Sequence, residues 1–293
     1  MTDTFCNFTL VYMISMQPGL FHKKYSPPVD LETIVRDMQV LHVKWEPGFK
    51  LPPPFITCLA NTEQNLYFYP RDPVSAVTKN KNYTVVPTAV LTGPKTKPIG
   101  LLYGKDYLMI KVSFKPTGLF RLLELSMKAF INKGLNATLF LGRSVDKLSD
   151  ALRTLESYDE MVSIVIDFIR KKAAEHLRAE EPIDCTAVSM LQPDEWLSAN
   201  SWAKKSCLST RQFERNFVQR TGISPKLFTR IVRFEHAMNI KNTQTNKSWT
   251  EIAMECGYTD SAHILKEFRQ FAEFPPSHFF LQPTSGFSEL PTG

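Results

Sequence analysis

The sequence predicts an α+β protein. A β-rich N-terminal domain of sandwich or barrel type, with trailing helices, precedes an all-α C-terminal domain in which two similar two-helix units are joined by a central helix. Three observations predict this. Short apolar runs punctuated by Gly and Pro fill the chain to about residue 125. From Leu119 the apolar spacing becomes helical. In the last hundred residues a stretch recurs at an offset of 51. The expected divisions are 1–160 for the β-rich domain, 161–189 for a helix and linker, 190–283 for the all-α domain and 284–293 for a flexible tail.

The first apolar run, Leu10 to Ile14, reads as a strand. It has no basic region before it and no small-residue cleavage site, so it does not read as a signal peptide. Met13 and Met16 offer alternative translation starts. Pro52-Pro53-Pro54 reads as a loop or an extended segment. The runs at 83–87, 89–94, 99–103 and 107–114 are strands. Leu122, Leu123, Ser126 and Phe130 then follow a helical period, as do Val145, Leu148, Leu152 and Leu155, and then residues 161–177. Residues 178–184, polar and containing Glu180-Glu181-Pro182, read as a linker. From Pro193 to about Leu281 the pattern is helical.

The 293 residues include 21 Phe, 9 Tyr and 4 Trp and are 43% hydrophobic, which excludes a disordered chain. No stretch approaches the roughly 18 uninterrupted apolar residues of a membrane span, so no membrane partner is expected. Five scattered cysteines, Cys6, Cys58, Cys185, Cys207 and Cys256, fit reduced thiols in a cytoplasm. The net charge of +6 is not concentrated at the C-terminal end. Residues 1–161 carry +5, 162–189 carry −1, 190–283 carry +3 and the tail −1. Charge alone therefore gives weak support for a nucleic-acid partner.

The repeat carries more. TGISPKLF (221–228) aligns with AEFPPSHF (272–279), and Phe213 and Phe217 align with Ile264 and Phe268, all at an offset of 51. Ala203 and Leu208 align with Ala253 and Tyr258 at an offset of 50, which places a one-residue insertion in the turn or at the start of the second helix. Ala203 and Ala253 leave room for a crossing helix. Gly257 supplies the left-handed residue of a sharp turn. Ser209 and Thr259 are the expected caps of the next helix. Phe213/Phe217 and Ile264/Phe268 are i, i+4 pairs that seat that helix. This is helix-turn-helix physics, and the outer face of each second helix is left for DNA. In the first unit that face is Thr210, Arg211, Glu214, Arg215 and Asn216, with arginines able to grip a guanine edge by two hydrogen bonds. In the second it is Ser261, Ala262 and Lys266, beside Leu265, a set poor in donors. Arg230 and Arg233, on the central helix, read as structural or surface charges.

Residues 190–282 resemble the DNA-binding domain of AraC/XylS-type transcription regulators. The matching pieces are LSTRQFERNF (208–217), TGISP (221–225), RFEHA (233–237) and IAMECGY (252–258), continued by Phe268, Phe271 and Pro276. Two positions depart: Glu273 stands where many members have Gly, and the segment 260–264 is less polar than usual. LTGPKTKP (91–98) and VSFKPTGLF (112–120) also resemble a domain of unknown function found ahead of such DNA-binding domains. The resemblance implies a bacterial, cytoplasmic, sequence-specific DNA-binding transcription factor. It implies two recognition helices in successive major grooves, promoter DNA as partner, contact with RNA polymerase, and an N-terminal domain that senses a small-molecule effector or forms a homodimer.

Catalysis finds no residues to carry it. There is no His-x-His pair, no Gly-x-Ser-x-Gly, no phosphate loop and no four-cysteine repair module, so no catalytic residue, cofactor or metal is expected. The six histidines form no cluster, and His263 reads as packing. The competing reading is a small-molecule-binding β-domain protein whose DNA module is degenerate, motivated by the donor-poor second helix.

Overall fold

The computed structural model describes residues 20–44, 55–77, 82–192 and 196–273. The expected strand at 10–14, the alternative starts, the triple proline, the expected helix onset at 193, the 274–279 end of the repeat and the tail lie outside them.

Within the described residues the N-terminal part holds ten strands: β1 (Leu20–Tyr25), β2 (Val35–Lys44), β3 (Phe55–Cys58), β4 (Gln64–Phe68), β5 (Ser75–Val77), β6 (Tyr83–Val85), β7 (Ala89–Thr92), β8 (Ile99–Leu102), β9 (Asp106–Phe114) and β10 (Gly134–Asn136). They form two antiparallel sheets, ordered β1-β2-β9-β4-β7-β10 and β3-β8-β5-β6. The sandwich expected from the punctuated apolar runs is present, and the runs at 83–87, 89–94, 99–103 and 107–114 are strands β6 to β9.

Strand β9 is buried on both faces, so its two-residue alternation separates two cores. Leu108, Ile110, Val112 and Phe114 face a layer of helices, while Tyr107 and Met109 face the second sheet. The helical layer comprises α1 (Gly118–Leu123), the short α2 (Thr138–Leu141), α3 (Ser144–Thr154) and α4 (Tyr158–His176). Val145, Leu148 and Leu152 lie on the buried stripe of α3, and Met161, Val162, Val165 and Ile169 on that of α4. The continuous helix expected through Leu122, Leu123, Ser126 and Phe130 is broken. Glu124 takes φ 54° and ends α1, and residues 127–130 form a separate 3-10 turn. A left-handed residue cannot continue an α-helix.

The polar segment at 178–184 differs from its expected linker form. A helix, α5 (Pro182–Ser189), begins there, with Pro at its first position and a reciprocal capping pair between Glu181 and Asp184. Its Ile183 and Ala187 join the core of the following helices: α6 (Ala199–Lys205), α7 (Thr210–Thr221), α8 (Pro225–Thr243), α9 (Trp249–Glu255) and α10 (Ser261–Ala272). Phe213, Phe217, Phe228, Phe234, Phe268 and Phe271 fill that core with ring pairs 5.2–5.5 Å apart. The all-α part thus has the expected form, two helix pairs α6–α7 and α9–α10 bridged by α8.

One buried ionic cluster marks the end of the large sheet. A bulge in β2 places Arg36 between Val35 and Asp37. Arg36 donates to Asp37 and to Glu63 at 2.9 and 2.8 Å, and Lys111, fully buried, donates to Glu63 at 2.8 Å. Burial by itself would raise the Glu63 carboxyl, but the Lys111 ammonium and the Arg36 guanidinium hold it well below the usual carboxylate range. A carboxylate lowered by folding contributes its full stabilisation above its unfolded pKa of about 4.3 and loses it as pH falls toward the folded value. Glu63→Gln is therefore expected to cost about 3–5 kcal/mol at pH 7, because the buried Lys111 loses its carboxylate and the half-buried Arg36 loses one of its two. That gap should narrow progressively below pH ~4, where Glu63 of the unfolded wild-type chain takes up a proton that the folded carboxylate resists. Urea denaturation of both proteins between pH 7 and 3 checks it; a constant gap would exclude Glu63 as the titrating group.

Candidate nucleic-acid interface

Each unit is built from its caps outward. In the first, Ser209 accepts from the backbone N–H of Gln212, and the Gln212 side chain accepts from the backbone N–H of Ser209 at 3.1 Å. This capping box starts α7 where the sequence placed it. Phe213 and Phe217 are fully buried, and Ala203 lets α6 and α7 meet. In the second unit Ser248 and Glu251 form the same box at the start of α9, and Gly257 takes φ 68° in the turn. The cap of α10 differs from expectation. It is Asp260, whose carboxylate accepts from the His263 N–H at 2.7 Å, not Thr259. The one-residue insertion therefore lies in the turn: Ser209 and Asp260 are equivalent at the offset of 51.

The outward faces can now be compared. Arg211, Glu214 and Arg215 are exposed on α7, Asn216 is half-buried, and the Thr210 hydroxyl donates to Asn200 at 3.3 Å. Among the described residues neither arginine has an ionic or hydrogen-bond partner. On α10, Ala262 and Lys266 are exposed and Ser261 is half-buried; Lys266 likewise has no partner among the described residues. Five positions of α7 thus stand near one another at its N-terminal half, and three stand on the corresponding part of α10.

The remaining cations are engaged elsewhere. Arg230 reaches across from α8 to Glu267 of α10 with two nitrogens at 2.9 and 3.1 Å, bonds Gln270 and covers the Phe271 ring. Arg233 donates to the Gly257 carbonyl and lies between the Trp196 and Tyr258 rings. Both therefore set the pose of the second unit, in keeping with a structural reading of these two residues. His263 stacks edge-on against Tyr258 at 5.2 Å, a packing role. Glu273 takes φ 63°, the conformation that Gly222 holds at φ 91° after α7, so the departure noted in the sequence is a side chain held in the left-handed region.

Arg220 is the residue that sequence reasoning missed. It lies at the C-terminal end of α7, only 4% exposed, and pairs with Asp184 at 3.0 Å and Glu181 at 2.7 Å of the α5 cap. Its guanidinium covers the Phe120 ring of α1, and its carbonyl accepts from Gln64 of β4 at 3.0 Å. The spacing 213, 217, 220 places it on the buried stripe, which was the available signal. Beside it, a Cβ on Gly222 would lie 2.8 Å from the Met127 carbonyl. The α10 end is also held: Ala60, from the β-rich part, donates its N–H to the Phe271 carbonyl. Both outward-facing helices are therefore anchored by their C-terminal ends to the β-rich domain, with their N-terminal halves free.

Two helix pairs of this kind, each with a capped, outward-facing second helix, define a duplicated helix-turn-helix domain. Residues 202–282 match the family model described as a helix-turn-helix domain. An uncharacterised HTH-type transcriptional regulator of Haemophilus influenzae is 29% identical over 105 residues, 34% of this chain. The match spans about a third of that relative's own length. Among solved structures, unsaturated fatty acid bound wild-type ToxT from Vibrio cholerae strain SCE256 is 12% identical, with 90% of this chain and 96% of that one covered and a TM-score of 0.44. The AraC-like transcriptional activator CuxR is 11% identical, with 75% and 96% covered and a TM-score of 0.25. Similarity at that level carries no argument about ligands or mechanism.

Removing Arg220 is expected to break the shared anchor. Arg220→Met leaves the buried Asp184 carboxylate without a cation and should cost about 3–5 kcal/mol in urea denaturation. Arg211→Met, on the exposed face of the same helix, should stay within about 0.5 kcal/mol. Equal effects would mean that the buried pair adds nothing to the stability of the fold.

Proposed function

We propose that the chain is a sequence-specific DNA-binding transcription factor, bacterial and cytoplasmic, whose two second helices enter successive major grooves. The observation that carries this is the division of cations among the described residues. Arg220, Arg230 and Arg233 are all engaged within the fold, while Arg211 and Arg215 stand exposed and unpaired on the free half of a capped helix. Arg215 and Arg211 suit guanine O6 and N7, Glu214 suits the cytosine amino group, and Thr210 and Asn216 complete the reading face. Ser261, Ala262 and Lys266 offer one ammonium and one hydroxyl, a set suited to phosphates more than to bases. The first helix is then the reader and the second the anchor. Promoter DNA is the partner, contact with RNA polymerase is how bound protein would raise transcription, and the β-rich domain controls the outcome by binding an effector or a second copy.

The test is selection of genomic fragments by the full chain at two salt concentrations. The expected motif has one strongly and one weakly specified half. Binding that vanishes with salt and enriches no motif would favour the alternative, a ligand-binding β-domain with a degenerate DNA module. On the selected site, Arg215→Ala should cost about 1–3 kcal/mol and relax preference at one base step. An equal loss on random DNA would make Arg215 a backbone contact. Lys266→Ala should weaken all sequences and make the slope of log K against log salt shallower by about 1; an unchanged slope removes Lys266 from the interface.

A further inference from the structure

Among the described residues the buried cations come with partners, with one exception. Lys111 has Glu63, Arg220 has Asp184 and Glu181, and Arg121 has Glu180 and two backbone carbonyls. Lys95 is 6% exposed, and its Nζ has no partner among the described residues. An unpaired buried ammonium is costly, so its retention calls for an anion. Lys95 lines a cavity of about 170 Å³ between the two sheets. Thr92, whose buried hydroxyl is also without a partner among the described residues, lines it too. The other walls are largely apolar, including Tyr67, Val90, Leu101 and Met109, and none of the lining residues is acidic. Lys133 and the exposed Val85 stand at the rim.

We propose that this cavity binds a compact apolar monocarboxylate, with the Lys95 ammonium and the Thr92 hydroxyl donating to the carboxylate and the sheet side chains enclosing the apolar body. The size follows from comparison: a dry apolar cavity of about 150 Å³ holds one benzene ring. The site fits an aryl or short acyl carboxylate and is too small for a long acyl chain.

The same lysine is placed to report occupancy, a step that rests on the regulatory reading above. Its backbone exchanges two hydrogen bonds with Asn61, both 2.9 Å. The residue before Asn61, Ala60, donates to Phe271 at the end of α10, and Leu59 and Ala60 pack in the all-α core. The residue before Lys95, Pro94, lies against Gly222, where an added Cβ would be 3.3 Å from its Cγ. One short strap thus joins the cavity to the anchored ends of both second helices.

Calorimetric titration of the full chain with 3-phenylpropionate is the test. The controls are 3-phenylpropan-1-ol, which keeps the shape without the charge, and hexadecanoate, which keeps the charge on a long chain. Saturable binding of 3-phenylpropionate at one site is expected, weaker by about ten- to hundredfold for the alcohol and for the Lys95→Met variant. The variant should melt no lower than the wild type, because it removes an unpaired buried charge, so a lost signal cannot be assigned to unfolding. No binding of the phenylpropionate, equal binding by the alcohol or by Lys95→Met, or binding of hexadecanoate alone would each overturn the site. Affinity for the selected DNA is then measured with and without 3-phenylpropionate. A change that Lys95→Met abolishes supports the strap. Ligand binding with unchanged DNA affinity overturns the strap and leaves the cavity assignment standing. Calorimetry needs no DNA, so a failure of the DNA-binding reading would be seen separately.

Discussion

The Arg220 guanidinium is the contact around which the two halves of the molecule are arranged. It is buried at the end of α7, neutralised by the α5 cap and stacked on Phe120, and its own carbonyl is bonded from β4. Four segments of the chain meet at one residue. A buried charge tolerates little displacement, because any gap leaves it desolvated without compensation. This ties the direction of α7 to the frame of the β-rich domain. The all-α part is not a bead on a flexible tether, since the polar stretch before it is itself a capped helix inside its core.

The two helix-turn-helix units share a plan and differ in what they present. Both have a capping box or carboxylate cap, a left-handed residue in the turn and an i, i+4 apolar pair. The second spends its polar residues on internal order. Glu267 is taken by Arg230, and Asp260 caps its own helix. The first leaves its arginines free. Duplication of a scaffold therefore does not duplicate a surface, and the proposed division into reader and anchor rests on this asymmetry.

The β-rich domain is likewise divided by its alternation. One face of β9 supports a helical layer; the other faces the second sheet and the cavity at Lys95. The buried Lys111 ammonium and the Arg36 guanidinium of the large sheet are paired through Glu63. Against that background the Lys95 ammonium, without a partner among the described residues, stands out, and its strap runs to the ends of α7 and α10.

What the sequence determined by itself is local. The strands at 83–92 and 99–114, the capping box of α7, the glycine turn at Gly257 and the duplicated apolar pairs depend on neighbours within a few residues, so spacing and residue type suffice to read them. The AraC-type resemblance was legible for the same reason, in four short motifs in order. Tertiary structure decided the rest. The order of strands, the break at Glu124, the choice of Asp260 over Thr259 as cap, the helix at Pro182 and the burial of Arg220 and Lys95 depend on contacts made between distant segments. Whether a lysine or arginine is a solvated charge, a buried strut or an unpaired donor is set by what the fold brings within about 3–4 Å of it, and no pattern along the chain records that distance.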